Sequence, residues 1–87
     1  MKFEIHLSSR SHKFLKRVDK RTYDRLVRKL VTLVEDPFQL DVKKIMGRKE
    51  KLYRVRVGDY RILYEIYLEK KVVLIVNIDK RSRIYEG

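Results

Sequence analysis

Leu52-Tyr53-Arg54-Val55-Arg56-Val57-Gly58-Asp59-Tyr60-Arg61 is the stretch from which the rest of the chain can be read. Tyr53, Val55 and Val57 alternate with Leu52, Arg54 and Arg56, the period of two of a strand with one buried face. Past Gly58-Asp59 the apolar set continues as Tyr60, Ile62, Tyr64 and Ile66, with Arg61, Leu63 and Glu65 on the other side. Glycine at the first central position of a two-residue connection suits a type II′ turn, so the stretch is predicted to be a β-hairpin. Its register then sets Val57 against Tyr60, Val55 against Ile62, Tyr53 against Tyr64, and Arg56 against Arg61. Two cations directly opposite are destabilising. Arg54 lies two residues further along the same face, and the only carboxylate at that end is Asp59 in the turn. Three guanidiniums on one surface point to an anion with several oxygens, most naturally phosphate, since each offers a planar fork of donors. A solvated basic face is the plainer alternative.

Upstream, Phe3, Ile5 and Leu7 alternate with Lys2, Glu4 and His6, which predicts a first strand. Ser8 or Ser9 can cap a helix over residues 9–18, with Phe14, Leu15 and Val18 on its apolar side. A short break at residues 19–22 leads to a second helix, in which Tyr23, Leu26, Val27, Leu30, Leu33 and Val34 form an amphipathic stripe. Asp36-Pro37 ends it, because the residue before proline is pushed out of the helical region. Two helices joined so closely form one layer on the apolar face of a sheet. Residues 38–51 are irregular, with Leu40, Val42 and Ile45 as anchors and a break at Gly47. After a turn at residues 69–71, residues 72–78 form a last strand, apolar on both faces and so interior. Pairing Leu68 with Val72 would put Arg61 opposite Asp79 and Leu63 opposite Asn77, and bring Arg81 to the arginine face. The predicted fold is α+β, ordered β-α-α-β-β-β, with a helical hairpin on one face of a mainly antiparallel four-stranded sheet.

A chain of 87 residues is expected to form one domain, 1–87. It has no cysteine, which removes disulfides and thiolate metal sites. Glu4 and His6 interrupt any leader-like apolar run, and the longest apolar run, residues 72–76, is far too short to span a bilayer. A cytoplasmic protein is the expectation. Lys and Arg number 23 against 12 Asp and Glu, a net charge of +11 spread over both halves. That balance calls for a polyanionic partner, with nucleic acid ahead of membrane.

The element order, the basic sheet face and two runs of residues together resemble the RelE/ParE superfamily of toxin–antitoxin toxins, and within it the RelE-type messenger RNA interferases. The runs are Lys44-Ile45-Met46-Gly47, then Tyr53 to Tyr64 with its Tyr-x-x-x-x-Gly-x-Tyr-Arg pattern, followed by Lys80-Arg81-Ser82-Arg83-Ile84-Tyr85. The likeness covers essentially the whole chain. It implies a type II toxin that cleaves messenger RNA in the ribosomal A site, through attack of a ribose 2′-hydroxyl on the adjacent phosphate. Arg54 and Arg56 stand where the bacterial archetype has lysines, whereas Arg61, Arg81 and Tyr85 match its pattern. By that resemblance Arg54 would hold the attacking 2′-oxygen, Arg56 and Arg61 would stabilise charge building on phosphorus, Arg81 would assist the leaving oxygen, and Tyr85 would stack on or orient a base. The partners implied are messenger RNA, ribosomal RNA of a 70S-type ribosome and an acidic RelB-like antitoxin. No cofactor or metal is implied.

Phosphoryl chemistry gains most from preorganised positive charge around developing oxyanions, which agrees with this outline. The departure lies in the base: a lysine among cations can be driven to accept a proton, but arginine cannot. Glu65 is on the arginine face as a candidate base or a plain counter-ion, and His6 and His12 are placed away from it. Tyr53, Tyr60 and Tyr64 share their face with Val55, Val57 and Ile62, so core packing is expected of them rather than base stacking. Lys43, Lys44, Arg48, Lys49, Lys51 and Arg83 supply further charge suited to RNA. Two other readings stand beside the nuclease: a ParE-like gyrase poison, which needs no such gathering of arginines, and a basic RNA-binding module without chemistry.

Overall fold

The computed structural model describes residues 2–39, 41–45 and 52–80. Among these, strand β1 (Glu4–Leu7) is followed by helices α1 (Ser9–Arg17) and α2 (Lys20–Glu35), then strands β2 (Lys43–Lys44), β3 (Leu52–Val57), β4 (Tyr60–Tyr67) and β5 (Val72–Lys80). The sheet has five strands in the order β1-β5-β4-β3-β2, with β1 parallel to β5 and the other pairs antiparallel. The expected four-stranded sheet is therefore corrected by one short strand. A two-residue strand has no periodicity to read, and only pairing with β3 makes Lys43-Lys44 extended.

Both helices begin at side-chain caps. The Ser11 N–H donates to Ser8 Oγ at 3.1 Å, and the Thr22 N–H donates to an Asp19 carboxylate oxygen at 3.3 Å, satisfying donors that the first turn leaves without intrahelical partners. The second helix thus starts at Lys20, inside the stretch expected to be a break. Leu15 from α1 and Leu26, Leu30 and Leu33 from α2 are buried against Val55, Ile62, Tyr64, Val73, Ile75 and Ile78 of the sheet. Tyr23, expected on the apolar stripe, is 44% exposed at the start of α2. Among the described residues, no helix is long and apolar enough to cross a membrane.

The first hairpin has the predicted register throughout, from Val57↔Tyr60 to Tyr53↔Tyr64. Gly58 has φ +58°, and Asp59 keeps a negative φ, as a type II′ turn requires. The second hairpin departs in its near half. Arg61↔Asp79 and Leu63↔Asn77 hold, but the pairing slips by one at Tyr64↔Ile75, so Tyr67, and not Leu68, pairs with Val72. Two features absorb the extra residue. Lys71 turns left-handed, with φ 56°, making the connection four residues long, and β5 bulges around Val76. Ser8 Oγ donates to the Val76 carbonyl at 2.8 Å and Ser11 Oγ to the Ile75 carbonyl at 3.1 Å, so the start of α1 holds the bulge. The bulge changes which alternate residues of β5 face the helices, and this lets Val73, Ile75 and Ile78 all reach the core.

Candidate functional site

The face of the sheet turned away from the helices carries the candidate site. Cross-strand neighbours share a face, so the registers give two rows near the first hairpin turn. One row runs Asp79, Arg61, Arg56. The next runs Asn77, Leu63, Arg54, Lys43. Three arginines that sequence periodicity placed together are thus adjacent, and β2 adds Lys43 beside Arg54. Lys44 pairs with Tyr53 and takes the opposite parity, at the edge of the helix-covered side.

Exposure is not uniform across this face. Arg56 and Lys43 are exposed and Arg54 is half-buried. Arg61 is only 5% exposed, as is Leu52 at 6%. The three guanidiniums thus share one face but are unequally open to solvent. Arg61 lies on a central strand between two neighbours, and a guanidinium held that far from water is tolerated only with compensating groups. Its β5 neighbour is the acidic Asp79, whose carboxylate also accepts from the Lys80 N–H at 2.8 Å.

Glu65 is on the same face, two residues beyond Leu63, where its Oε1 accepts from the Tyr67 hydroxyl at 2.6 Å. His6, placed by its strand away from the arginine face, in fact shares that face at the far edge of the sheet. The parallel register sets it beside Leu74, which neighbours Glu65. There it is within 3.2 Å of Glu4 Oε1 and two strands from β4. Tyr53, Tyr60 and Tyr64 lie on the helix side as expected: Tyr64 is fully buried, stacks on Tyr53 with ring centroids 5.9 Å apart, and donates its hydroxyl to the Pro37 carbonyl at 2.8 Å. Arg48, Lys49, Lys51, Arg81, Arg83 and Tyr85 lie outside the described residues.

Sequence reasoning missed a second group of cations. Arg25 and Arg28 of α2 come up beside Arg56, Val57 and Gly58 around a cavity of about 320 Å³. Their helical spacing marks them as solvent-facing, but only the packed fold shows that this side of α2 overhangs the hairpin turn. Lys29, next along, is engaged by Asp41 at 2.6 Å and Gln39 at 3.1 Å.

Chemically, the outer face offers charge-assisted donors to phosphate oxygens, with two carboxylates on it, Asp79 beside Arg61 and Glu65 two residues beyond Leu63. The profile of the ParE toxin family of type II toxin–antitoxin systems (parDE) matches residues 5–85. RelE1 of Methanocaldococcus jannaschii is 28% identical over 90 residues, covering all of this chain and 99% of that protein. The messenger RNA interferase toxin RelE of Escherichia coli is 26% identical over 85 residues, 95% of this chain and 87% of that one. Among solved structures, the archaeal RelE–RelB complex from Pyrococcus horikoshii superposes with a TM-score of 0.80 at 30% identity, over 97% of this chain and the whole of its counterpart. With its fold, its basic sheet face and these relatives in agreement, the chain belongs to the RelE/ParE superfamily of type II toxin–antitoxin toxins, as a RelE-type member.

Proposed function

We propose that this toxin is a ribosome-dependent endoribonuclease that cuts messenger RNA in the A site and so stops translation. The observation that carries the reading is the adjacency of Lys43, Arg54, Arg56 and Arg61 on one sheet face. In the reaction the ribose 2′-oxygen bonds to the neighbouring phosphorus as the bond to the 5′-oxygen breaks, leaving a 2′,3′-cyclic phosphate and a free 5′-hydroxyl. Arg54 holds the attacking oxygen, and Arg56 meets the charge developing on the phosphoryl oxygens. Arg61, buried in the free chain, adds its field from behind them. Arg81 assists the leaving oxygen and Tyr85 orients a base. Lys44, Arg48, Lys49, Lys51 and Arg83 contribute affinity for RNA phosphates. Arginine is a poor proton acceptor, so the catalysis rests on charge and positioning, and the ribosome supplies the geometry of the substrate.

An acidic RelB-like antitoxin restrains the toxin in the cytoplasm; the Pyrococcus horikoshii relative, solved as a complex with RelB, supports this partner. The parDE family match gives a gyrase-directed reading its one specific support. Primer extension on messenger RNA from translating ribosomes, run beside a gyrase supercoiling assay, separates the two. The nuclease predicts codon-register cuts that vanish in Arg81→Ala, with ribosome binding retained and supercoiling untouched. Efficient cutting of naked RNA would remove the ribosome dependence, and unchanged cutting by the variant would remove the assignment.

A further inference from the structure

We propose that the cavity between α2 and the first hairpin turn holds a second RNA backbone phosphate, separate from the one at the reacting centre. The inference rests on the RNA-directed reading above but not on cleavage. Arg25, Arg28 and Arg56 line the cavity, which measures about 320 Å³, and no carboxylate does. None of these three has an ion-pair partner among the described residues. Lys29 at the same rim is neutralised by Asp41, so the uncompensated charge is that of three guanidiniums, the group best shaped to grip phosphate oxygens.

The backbone adds to the site. Strand β2 ends opposite Arg54, so among the described residues β3 has no paired outer neighbour at Arg56. The Ile45 N–H donates to the Leu52 carbonyl at 2.8 Å on that outer side. Alternation along β3 then directs the N–H and C=O of Arg54 and Arg56 the same way. A donor at a sheet edge therefore sits among the cations. Gly58 is what lets them approach: a Cβ there would lie 3.0 Å from Arg25 Cζ and closer still to its terminal nitrogen. The Arg25 guanidinium is laid over the turn in the space a side chain would take.

RNA fits this lining better than an acidic protein segment does. Protein interfaces draw their energy from apolar anchors in pockets. Among the described residues, grooves lined by several apolar side chains lie around Phe38, Tyr67 and Leu68 and around Tyr67, Val72 and Leu74, whereas Val57 is the one apolar residue lining this cavity, the rest of its apolar surface being the stems of charged and polar side chains. Arg56 also belongs to the sheet-face cluster, so one strand of RNA can run from the reacting centre over the hairpin to α2 without leaving positive charge.

The test uses the full-length chain and two probes. Inorganic phosphate, followed by amide and guanidinium NMR, should shift the Gly58 amide and the Arg25 and Arg28 Nε–H signals saturably. In Arg25→Gln/Arg28→Gln the Gly58 response should vanish while that of Arg54 remains. A 2′-O-methylated single-stranded RNA, which cannot be cut, should bind this variant with a salt slope lower by about 0.7, the loss of one phosphate contact. Gln keeps good helix propensity on this solvent face. Arg28→Gln alone, which leaves the turn contact in place, should lower the slope by part of that. An unchanged slope in both variants overturns the proposal, as does a Gly58 amide that ignores phosphate. Loss of antitoxin binding with the RNA slope intact would assign the cavity to a protein partner and overturn it too. Absence of ribosomal cuts, by contrast, would bear on the cleavage reading alone.

Discussion

The hydroxyl of Tyr64 donates to the Pro37 carbonyl from a ring with no exposed surface, tying the centre of β4 to the chain just after α2. Burial, with a smaller contribution from the Asp41 charge, raises its phenol above the ordinary value of 10.0. The unfolded chain then loses this proton first. Stability from Tyr64 is complete below about pH 10 and declines as the pH rises further. Tyr64→Phe should cost roughly 0.5–1.5 kcal/mol at neutral pH, and its melting temperature should fall less steeply than that of the parent between pH 10 and 11. Arg56 is an exposed side chain set directly across from Arg61. Cross-strand pairs contribute roughly 0.2–1 kcal/mol, and Asp79 on the other side of Arg61 offsets part of the repulsion. Arg56→Gln should therefore stabilise the free protein at the low end of that range while crippling cleavage. A variant that melts lower than the parent at every ionic strength would show that the two arginines are not strained against each other.

At the level of elements, the first hairpin was legible because alternation and turn chemistry agree: the glycine fixes the turn, the turn fixes the register, and the register sets Arg56 across from Arg61. Both helices were legible from their stripes and their caps. What could not be read depends on contacts distant in sequence. The bulge in β5 is held by Ser8 and Ser11, about 65 residues away along the chain, and an apolar run such as residues 72–76 has no polar face to report a change of register. Ser11 is fully buried, and its hydroxyl serves a bulge carbonyl. Ser11→Ala should cost roughly 0.5–1.5 kcal/mol by removing one of two donors to that carbonyl, which keeps the Ser8 N–H at 3.0 Å, read as a lower midpoint in urea with an unchanged slope. In Gly58→Ala the left-handed backbone carries the cost, since the Arg25 guanidinium, at the end of a flexible exposed side chain, can swing away from the added Cβ. It should destabilise by more than about 1 kcal/mol, and Arg25→Ala in the same chain should recover little of that. The candidate site divides along the same line: the arginines on strands were legible, whereas the approach of Arg25 and Arg28 to the turn belongs to the packing of α2.

On the scale of the whole molecule, a net charge of +11 on 87 residues sets self-repulsion against a modest core. The ion pairs on the other side of the balance are mostly at the surface: Lys2–Glu35 at 3.6 Å and Lys20–Asp24 at 3.4 Å are open to solvent, and Lys29–Asp41 at 2.6 Å is partly covered. Exposed pairs are worth about 0–1 kcal/mol each and are weakened by salt. The cationic excess is weakened by salt as well, and here screening favours the fold. Like charges spread over a chain of this size repel across distances comparable with or longer than the roughly 10 Å screening length at 0.1 M, so modest salt relieves many interactions together. The excess should dominate. Raising sodium chloride from about 10 to 200 mM is therefore expected to increase the melting temperature, and a relief of about 1 kcal/mol would appear as roughly 4–8 °C in a domain this small. Phosphate at matched ionic strength should raise it further, because binding to the folded state adds to screening. The part beyond chloride should shrink in Arg56→Gln, whose charge is shared by the sheet face and the α2 cavity, while the chloride response persists. A melting temperature that falls with chloride would mean that the few surface pairs outweigh the repulsion, and the idea of a fold held under electrostatic strain until a polyanion relieves it would have to be abandoned.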